Sequence, residues 1–259
     1  MSIGADSGEV ARVHATFGEF AETHGVPADI RRSMTVVLDE LLANTVTHGL
    51  TAGGGRDGGS VTVDVGLRGD QLVITLTDDG TPFDPFGRAA PDTTLSVEDR
   101  PIGGLGIHLV RRLVDEVSYE RRGDRNVVVL TKRLGTGLKD AGEQRGGQEM
   151  EISTRTRDDI IIAAIAGSLD SNTSAEAQQS LDAVLAGGAR KVAIDFTALD
   201  YISSAGLRVL LGVAKQLKAS GGTLRTFGLN DSVREVFDIS GFSAILSVFP
   251  TESDAMKGL

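Results

Sequence analysis

Apolar residues Val10, Val13, Phe17 and Phe20 recur every three or four positions, which predicts an amphipathic helix over residues 9–24. A second helix opens at Pro27, whose fixed φ suits a first turn, and its apolar stripe is Met34, Val37, Leu38, Leu41, Leu42 and Val46. Within it the stretch 38–49, LDELLANTVTHG, sets Glu40, Asn44 and His48 at i, i+4 and i+8, stacked along the other face. A glycine-rich turn is expected at 51–59. Alternating runs at 60–67 and 71–77 around Arg68-Gly69-Asp70 predict a β-hairpin. Residues 82–100, rich in Pro, Asp and Gly and without periodicity, predict a long mobile loop. A helix over 105–114 and a second hairpin, 117–121 with 126–132 around Gly123-Asp124, complete this part.

Residues 135–148, GTGLKDAGEQRGGQ, hold five glycines and no apolar period, the composition of a flexible linker. Beyond it strands and helices alternate. Strands are expected at 150–156, 160–166, 191–196, 222–227 and 246–249, with helices at 173–186, 204–219 and 230–239. Two domains follow, over 1–134 and 149–259, the second a compact α/β unit.

Composition narrows the function classes. A net charge of −10 argues against a protein that grips nucleic acid by its phosphates, though it leaves a basic protein partner open. The longest apolar run, 160–166, is strand-sized, so no membrane span is expected. The first ten residues lack a secretory signal, there is no cysteine, and four scattered histidines give no metal-site spacing. A cytoplasmic protein is expected.

Three stretches carry candidate chemistry. Glu40 and Asn44 form a pair suited to taking a proton from a nucleophile and to offering an amide oxygen to a hard cation such as Mg²⁺; a solvated polar face is the plainer alternative. Asp78 ends a strand and Gly80 follows, an arrangement that can bind a base amino group or simply make a tight turn. Gly103-Gly104-Leu105-Gly106 leads into a helix whose N–H groups can meet phosphate. No Gly-Lys dipeptide occurs, which excludes a Walker-type phosphate loop.

Taken in order, Glu-x-x-x-Asn on a helix, Asp-x-Gly after a strand and Gly-x-Gly before a helix resemble the nucleotide-binding boxes of the GHKL ATPases. The segment GLGIHLVRRLVDEVSYERRGDRNVVVLTKRL resembles, more closely, the end of an anti-sigma-factor serine kinase domain. The resemblance spans about residues 8–134 and implies an α+β sandwich of the Bergerat type that uses ATP and Mg²⁺. It implies Glu40 as general base, Asn44 as Mg²⁺ ligand and Asp78 with Gly80 at the adenine. Asn44, His48, Phe83, Gly103, Gly104, Leu105, Gly106 and Ile107 would complete the ATP site, and residues 84–102 would be the mobile part of its phosphate loop. Pro82 replaces the second glycine of many GHKL proteins, as the Asp-x-Gly-x-Pro-Phe form of the serine-kinase branch does.

In the second domain, Ser203 and Ser204 precede an apolar-periodic helix (Leu207, Leu210, Leu211, Ala214, Leu217), where Ser203 suits an N-cap. A phosphate there would sit on a helix N-terminus and add charge that repels an acidic or apolar partner. The stretches 195–212 and 233–242, with Gly167-Ser168-Leu169-Asp170, resemble a STAS domain of the anti-sigma-factor antagonists over about residues 149–256. Aligned on Tyr201 and Gly206, the resemblance puts Ser204 at the phosphoacceptor position, with Ser203, the alternative acceptor, in place of the usual Asp. The whole chain then resembles a fusion of kinase and antagonist. It implies a partner-switching regulator that phosphorylates a STAS domain of its own or another chain, releases or captures a sigma factor, and dimerises through the kinase half. A non-catalytic, nucleotide-gated scaffold is the alternative.

Overall fold

The computed structural model describes residues 2–4, 7–50, 59–87, 91–93, 95–97, 99, 104–135 and 150–259; of residues 2–4, 7–9 and 48–50 it describes the backbone alone. The glycine-rich stretch at 51–59, much of the loop at 82–100, Gly103 and the linker at 135–148 lie wholly or partly outside the described residues. The chain divides into two compact units, residues 1–90 with 106–143 and residues 91–105 with 144–259.

The first unit contains strand β1 (Ser2–Gly4), helices α1 (Ser7–Thr23) and α2 (Ala28–Asn44), and strands β2 (Ser60–Arg68) and β3 (Gln71–Asp78). Helix α3 (Leu105–Leu113) and strands β4 (Glu116–Arg122) and β5 (Arg125–Arg133) follow. The strands form an antiparallel sheet in the order β1-β2-β3-β5-β4. Along β3 every second residue is buried, so Leu72, Ile74, Leu76 and Asp78 share one face. Val61, Val63, Val128 and Leu130 extend that face, and Phe17, Met34, Leu38, Leu41 and Leu42 supply the buried side of the helix layer. The same period that builds the core carries a carboxylate, Asp78, into it.

The predicted helix over 38–49 needs correction. The α-helix stops at Asn44, and Thr45–Leu50 form a π-helix. Three β-branched residues in a row, Thr45, Val46 and Thr47, crowd an α-helical turn, and Gly49 follows them. Glu40 and Asn44 keep their one-turn spacing. Residue 48 does not fall on the α-helical i+8 position, because bonding from i to i+5 widens the turn; its side chain is outside the described residues.

The second unit runs β6 (Glu151–Arg157), β7 (Ile160–Leu169), α4 (Ser174–Ala186), β8 (Lys191–Asp195), β9 (Leu199–Ile202) and α5 (Ser204–Ala219). It ends with β10 (Thr223–Phe227), α6 (Asp231–Ile239), a 3₁₀ turn (Phe242–Ala244), β11 (Ser247–Phe249) and α7 (Glu252–Met256). The sheet order is β11-β10-β8-β7-β6, with β6 antiparallel to β7 and the rest parallel. The apolar runs of β7 and β8 fit strands covered on both faces. Ile160, Ile162, Ala193 and Phe227 form a cluster with Ala255 of α7.

Strand β9 was not predicted. It is four residues long, carries Asp200, and pairs with the end of β7 after a bulge at Gly167/Ser168. Its pairing sets the start of α5: the Ser203 N–H donates to the Leu169 carbonyl at 3.0 Å. That close approach explains Gly206, where a Cβ would lie 2.6 Å from the Leu169 carbonyl oxygen and 2.7 Å from side-chain carbons of Leu169 and Ile202. Gly206→Ala is therefore expected to destabilise the second unit by about 1–3 kcal/mol through overpacking. Denaturant unfolding checks this, and an unchanged midpoint would show that α5 shifts freely.

Candidate functional site

The first cluster is built on Asp78. Its Oδ1 accepts hydrogen bonds from the Gly80 N–H at 2.9 Å and from Nδ2 of Asn126 at 2.8 Å. The first bond closes the tight turn that Asp-x-Gly predicts. The second comes from a residue that sequence reasoning missed. Asn126 is directly opposite Asp78 in the β3–β5 register and is almost completely enclosed, with 2% of its surface exposed. Its Nδ2 also donates to the Thr81 carbonyl at 2.9 Å. A buried amide opening the apolar run VVVL was the available signal, since such groups must find partners.

Burial raises the Asp78 pKa above its ordinary value, against the opposing pull of Asn126, the Gly80 N–H and the Arg121 charge. The neighbouring Asp79 does different work: it accepts from the Ser60 N–H at 2.9 Å and anchors the start of β2.

A cleft lies over this carboxylate, lined by Asn44, Thr45, Asp78, Phe83, Pro85 and Asn126 among others. The structure thus brings together Asn44, Asp78 and Phe83 of the expected site. Nδ2 of Asn44 donates to the Glu40 carbonyl at 2.6 Å, so its amide oxygen is the atom that could meet a cation. One neutral oxygen beside a cleft fits Mg²⁺, which takes few protein ligands and keeps waters and phosphate oxygens for the rest. Among the described residues no acidic or histidine cluster offers a separate metal site.

Glu40, one turn earlier on α2, is enclosed with 4% exposure and does not line this cleft. Asp39 beside it is buried as well. Gly104 is exposed, with φ +80°, and leads into α3; Leu105 and Gly106 are buried, Ile107 is half-buried, and none of the four lines the cleft. The cleft holds about 10 Å³, whereas small-molecule sites run to roughly 300–1,000 Å³. Phe83 and Pro85 are among the side chains that narrow it.

The second cluster is at the start of α5. Ser203 is fully buried, and its Oγ accepts from the Ala205 N–H at 3.2 Å, the predicted cap. Ser204 is the first residue of the helix, with 7% exposure. Nearby, Asp170 follows β7 and accepts from the N–H groups of Asn172 and Thr173 at 2.8 and 3.1 Å, and from the Tyr201 hydroxyl at 3.3 Å. One serine is spent on the fold, and its neighbour stands where helix N–H groups and the dipole favour a phosphate.

Residues 3–132 match the histidine kinase-like ATPase domain and residues 151–255 match the STAS domain. The chain belongs to the histidine kinase-like ATPase domain family, and it joins a domain of the anti-sigma-factor serine kinase kind to a STAS domain of the antagonist kind. The second part is similar to the protein named as anti-sigma factor antagonist BtrV of Bordetella bronchiseptica, 45% identical over 39% of this chain and 84% of that protein. The first part is similar to the serine/threonine-protein kinase BtrW of the same organism, 31% identical over 40% of this chain and 71% of BtrW. It is also similar to the serine-protein kinase RsbW of Bacillus cereus, 31% identical over 52% and 83%. Partner-switching regulation of the anti-sigma type is the setting these domains define. No helix among the described residues is long and apolar enough to cross a membrane.

Proposed function

We propose that the chain is an ATP- and Mg²⁺-dependent protein-serine kinase whose substrate is a STAS domain, its own or another chain's. One observation carries the reading: Asn44 and Asp78, from separate elements, line one cleft. The enclosed Asp78 carboxylate suits the exocyclic amino group of adenine, and Phe83 and Pro85 supply apolar surface for the ring. Mg²⁺, when bound with the nucleotide through Asn44, supplies neutralisation of phosphate charge.

In the transfer step the Ser204 Oγ forms a bond to the γ-phosphorus, the bond from that phosphorus to the β–γ bridging oxygen breaks, and ADP departs. The hydroxyl proton passes to Glu40. Gly104, Gly106 and the N-terminus of α3 would bind the phosphates. The product carries a new charge of about −1.5 to −2 at a helix N-terminus, where it alters the surface offered to a sigma factor or similar regulator. We take residues 1–134 as the kinase domain, 135–148 as the linker and 149–259 as the STAS domain. The reading also holds a cytoplasmic site of action and a homodimer through the kinase half, which the mass in solution tests.

Asp78→Asn tests the base site. The amide can still accept from Gly80 and Asn126, but it turns one carboxylate oxygen into a donor facing the adenine amino group. Nucleotide affinity should fall by about 1.5–3 kcal/mol, roughly ten- to a hundredfold. The fold should not weaken. A raised aspartate pKa means that the folded state favours the protonated form, so this group's contribution is complete below the ordinary value of 3.8 and is lost as pH rises through the folded pKa. At neutral pH the variant should therefore unfold at or above the wild-type midpoint. Calorimetry showing equal nucleotide affinity in both proteins would refute the assignment. The scaffold alternative predicts nucleotide binding with no label on serine after incubation with γ-labelled ATP.

A further inference from the structure

Asp78, Asn126 and Arg121 stand side by side on three strands, since Asp78 is opposite Asn126 in β3–β5 and Asn126 is opposite Arg121 in β4–β5. Directly opposed residues share a face of the sheet, and Tyr119, two residues before Arg121, shares it too. Asn126 uses its whole amide. Its Oδ1 accepts from the Tyr119 hydroxyl and from Nη1 of Arg121, both at 2.9 Å, and from the Phe83 N–H at 3.4 Å. Its Nδ2 serves Asp78 and Thr81. Turned the other way, the amide would set its oxygen against the Asp78 carboxylate and its N–H groups against the guanidinium. Two side chains of β4 make the shorter bonds to its oxygen and so, with the Phe83 N–H and the Thr81 carbonyl, set which way Asn126 faces.

That orientation decides what Asp78 offers. Its Oδ1 is taken by Asn126 and by the Gly80 N–H, while Oδ2 has no donor among the described residues, on a side chain that lines the cleft. Nη1 of Arg121 also donates to the Gly80 carbonyl at 2.9 Å, so the same cation steadies the turn from below.

We infer that Arg121 and Tyr119 are positioning residues for base recognition: by orienting Asn126 they hold one oxygen of Asp78 and leave the other as an acceptor for a purine 6-amino group. This rests on the cleft being the nucleotide-base site. Neither residue lines the cleft; Tyr119 acts through Asn126, and Arg121 acts through Asn126 and the Gly80 carbonyl. Nothing in the Glu-x-x-x-Asn, Asp-x-Gly and Gly-x-Gly boxes includes them.

The test is a binding comparison of ATP with purine riboside triphosphate, which lacks the 6-amino group, on the full chain. Wild type should prefer ATP by about tenfold or more, the worth of one hydrogen bond to a charged acceptor. Arg121→Ala should bring the two ligands within about threefold by weakening ATP alone, while Arg121→Lys, which keeps a donor, restores most of the preference. A merely structural role would weaken both ligands together. Equal weakening, or an unchanged ratio in Arg121→Ala, overturns the inference and leaves the base site standing, because wild type still discriminates. If wild type does not discriminate, the base-site reading falls and the inference with it. Should Arg121→Ala fail to fold, Tyr119→Phe removes a single hydroxyl and must lower the same ratio; a wild-type ratio there is the contrary result.

Discussion

Glu40→Gln is expected to slow phosphoryl transfer to a STAS serine by about 10²–10⁴, the usual loss for a removed general base, and to change nucleotide affinity by no more than a few fold. The two effects separate because of where Glu40 stands. It does not line the cleft over Asp78, and the bond that Asn44 makes to it goes to its backbone carbonyl, which the substitution leaves in place. Glutamine matches the buried side chain in shape, so the fold should persist. Single-turnover transfer with a separate STAS domain as acceptor gives the rate, and calorimetry gives the affinity. A wild-type rate in the variant would remove Glu40 from the chemistry.

The second large effect separates the two serines. Ser204→Ala should abolish most of the phosphorylation, and Ser203→Ala should leave it. Ser203 has no exposed surface and its oxygen is held by the Ala205 N–H, so its loss should register as the loss of a cap, about 0.5–2 kcal/mol of stability. Ser204 is the first residue of the helix rather than its cap. Its slight exposure means that the kinase must loosen the start of α5 or meet it in a moment of opening. Phosphate that moves to Ser203 in the Ser204→Ala protein would show that the N-cap is no barrier.

Much of this was legible in the residues. Alternation placed β2, β3, β4 and β5 within a residue or two, because exposure alternates along β3 and β4 and a glycine turn fixes the register of each hairpin. The helix starts at Pro27 and Ser203 were legible for the same local reason, a residue that fits the first turn. What escaped depended on distant contacts. Strand β9 exists because the end of β7 offers it a partner, and α7 because Arg225 donates to the carbonyls at its end, at 2.7 Å to Ala255 and 2.8 Å to Lys257 just beyond it. The π-helix at Thr45–Leu50 needed three β-branched residues to be weighed against a strong apolar stripe.

The site followed the same division. Asp78 and Gly80 are two residues apart, so their turn could be read from sequence, and Asn44 could be placed one turn after Glu40 on a helix. Asn126 is 48 residues from Asp78, and only the pairing of β3 with β5, which are not consecutive strands of the hairpins, makes them neighbours. The narrowness of the cleft was not legible at all, since it depends on how Phe83 and Pro85 settle over the sheet.

The central claim is that this chain transfers phosphate from ATP to a serine at the start of a STAS helix. The direct measurement is the mass of the intact protein, and of its peptides, after incubation with Mg·ATP. The account predicts one added phosphate, on the peptide that contains Ser204, absent from Glu40→Gln over the same time when no active chain is present. An unmodified mass under conditions where calorimetry shows bound nucleotide would contradict it, and would leave a nucleotide-gated scaffold in its place.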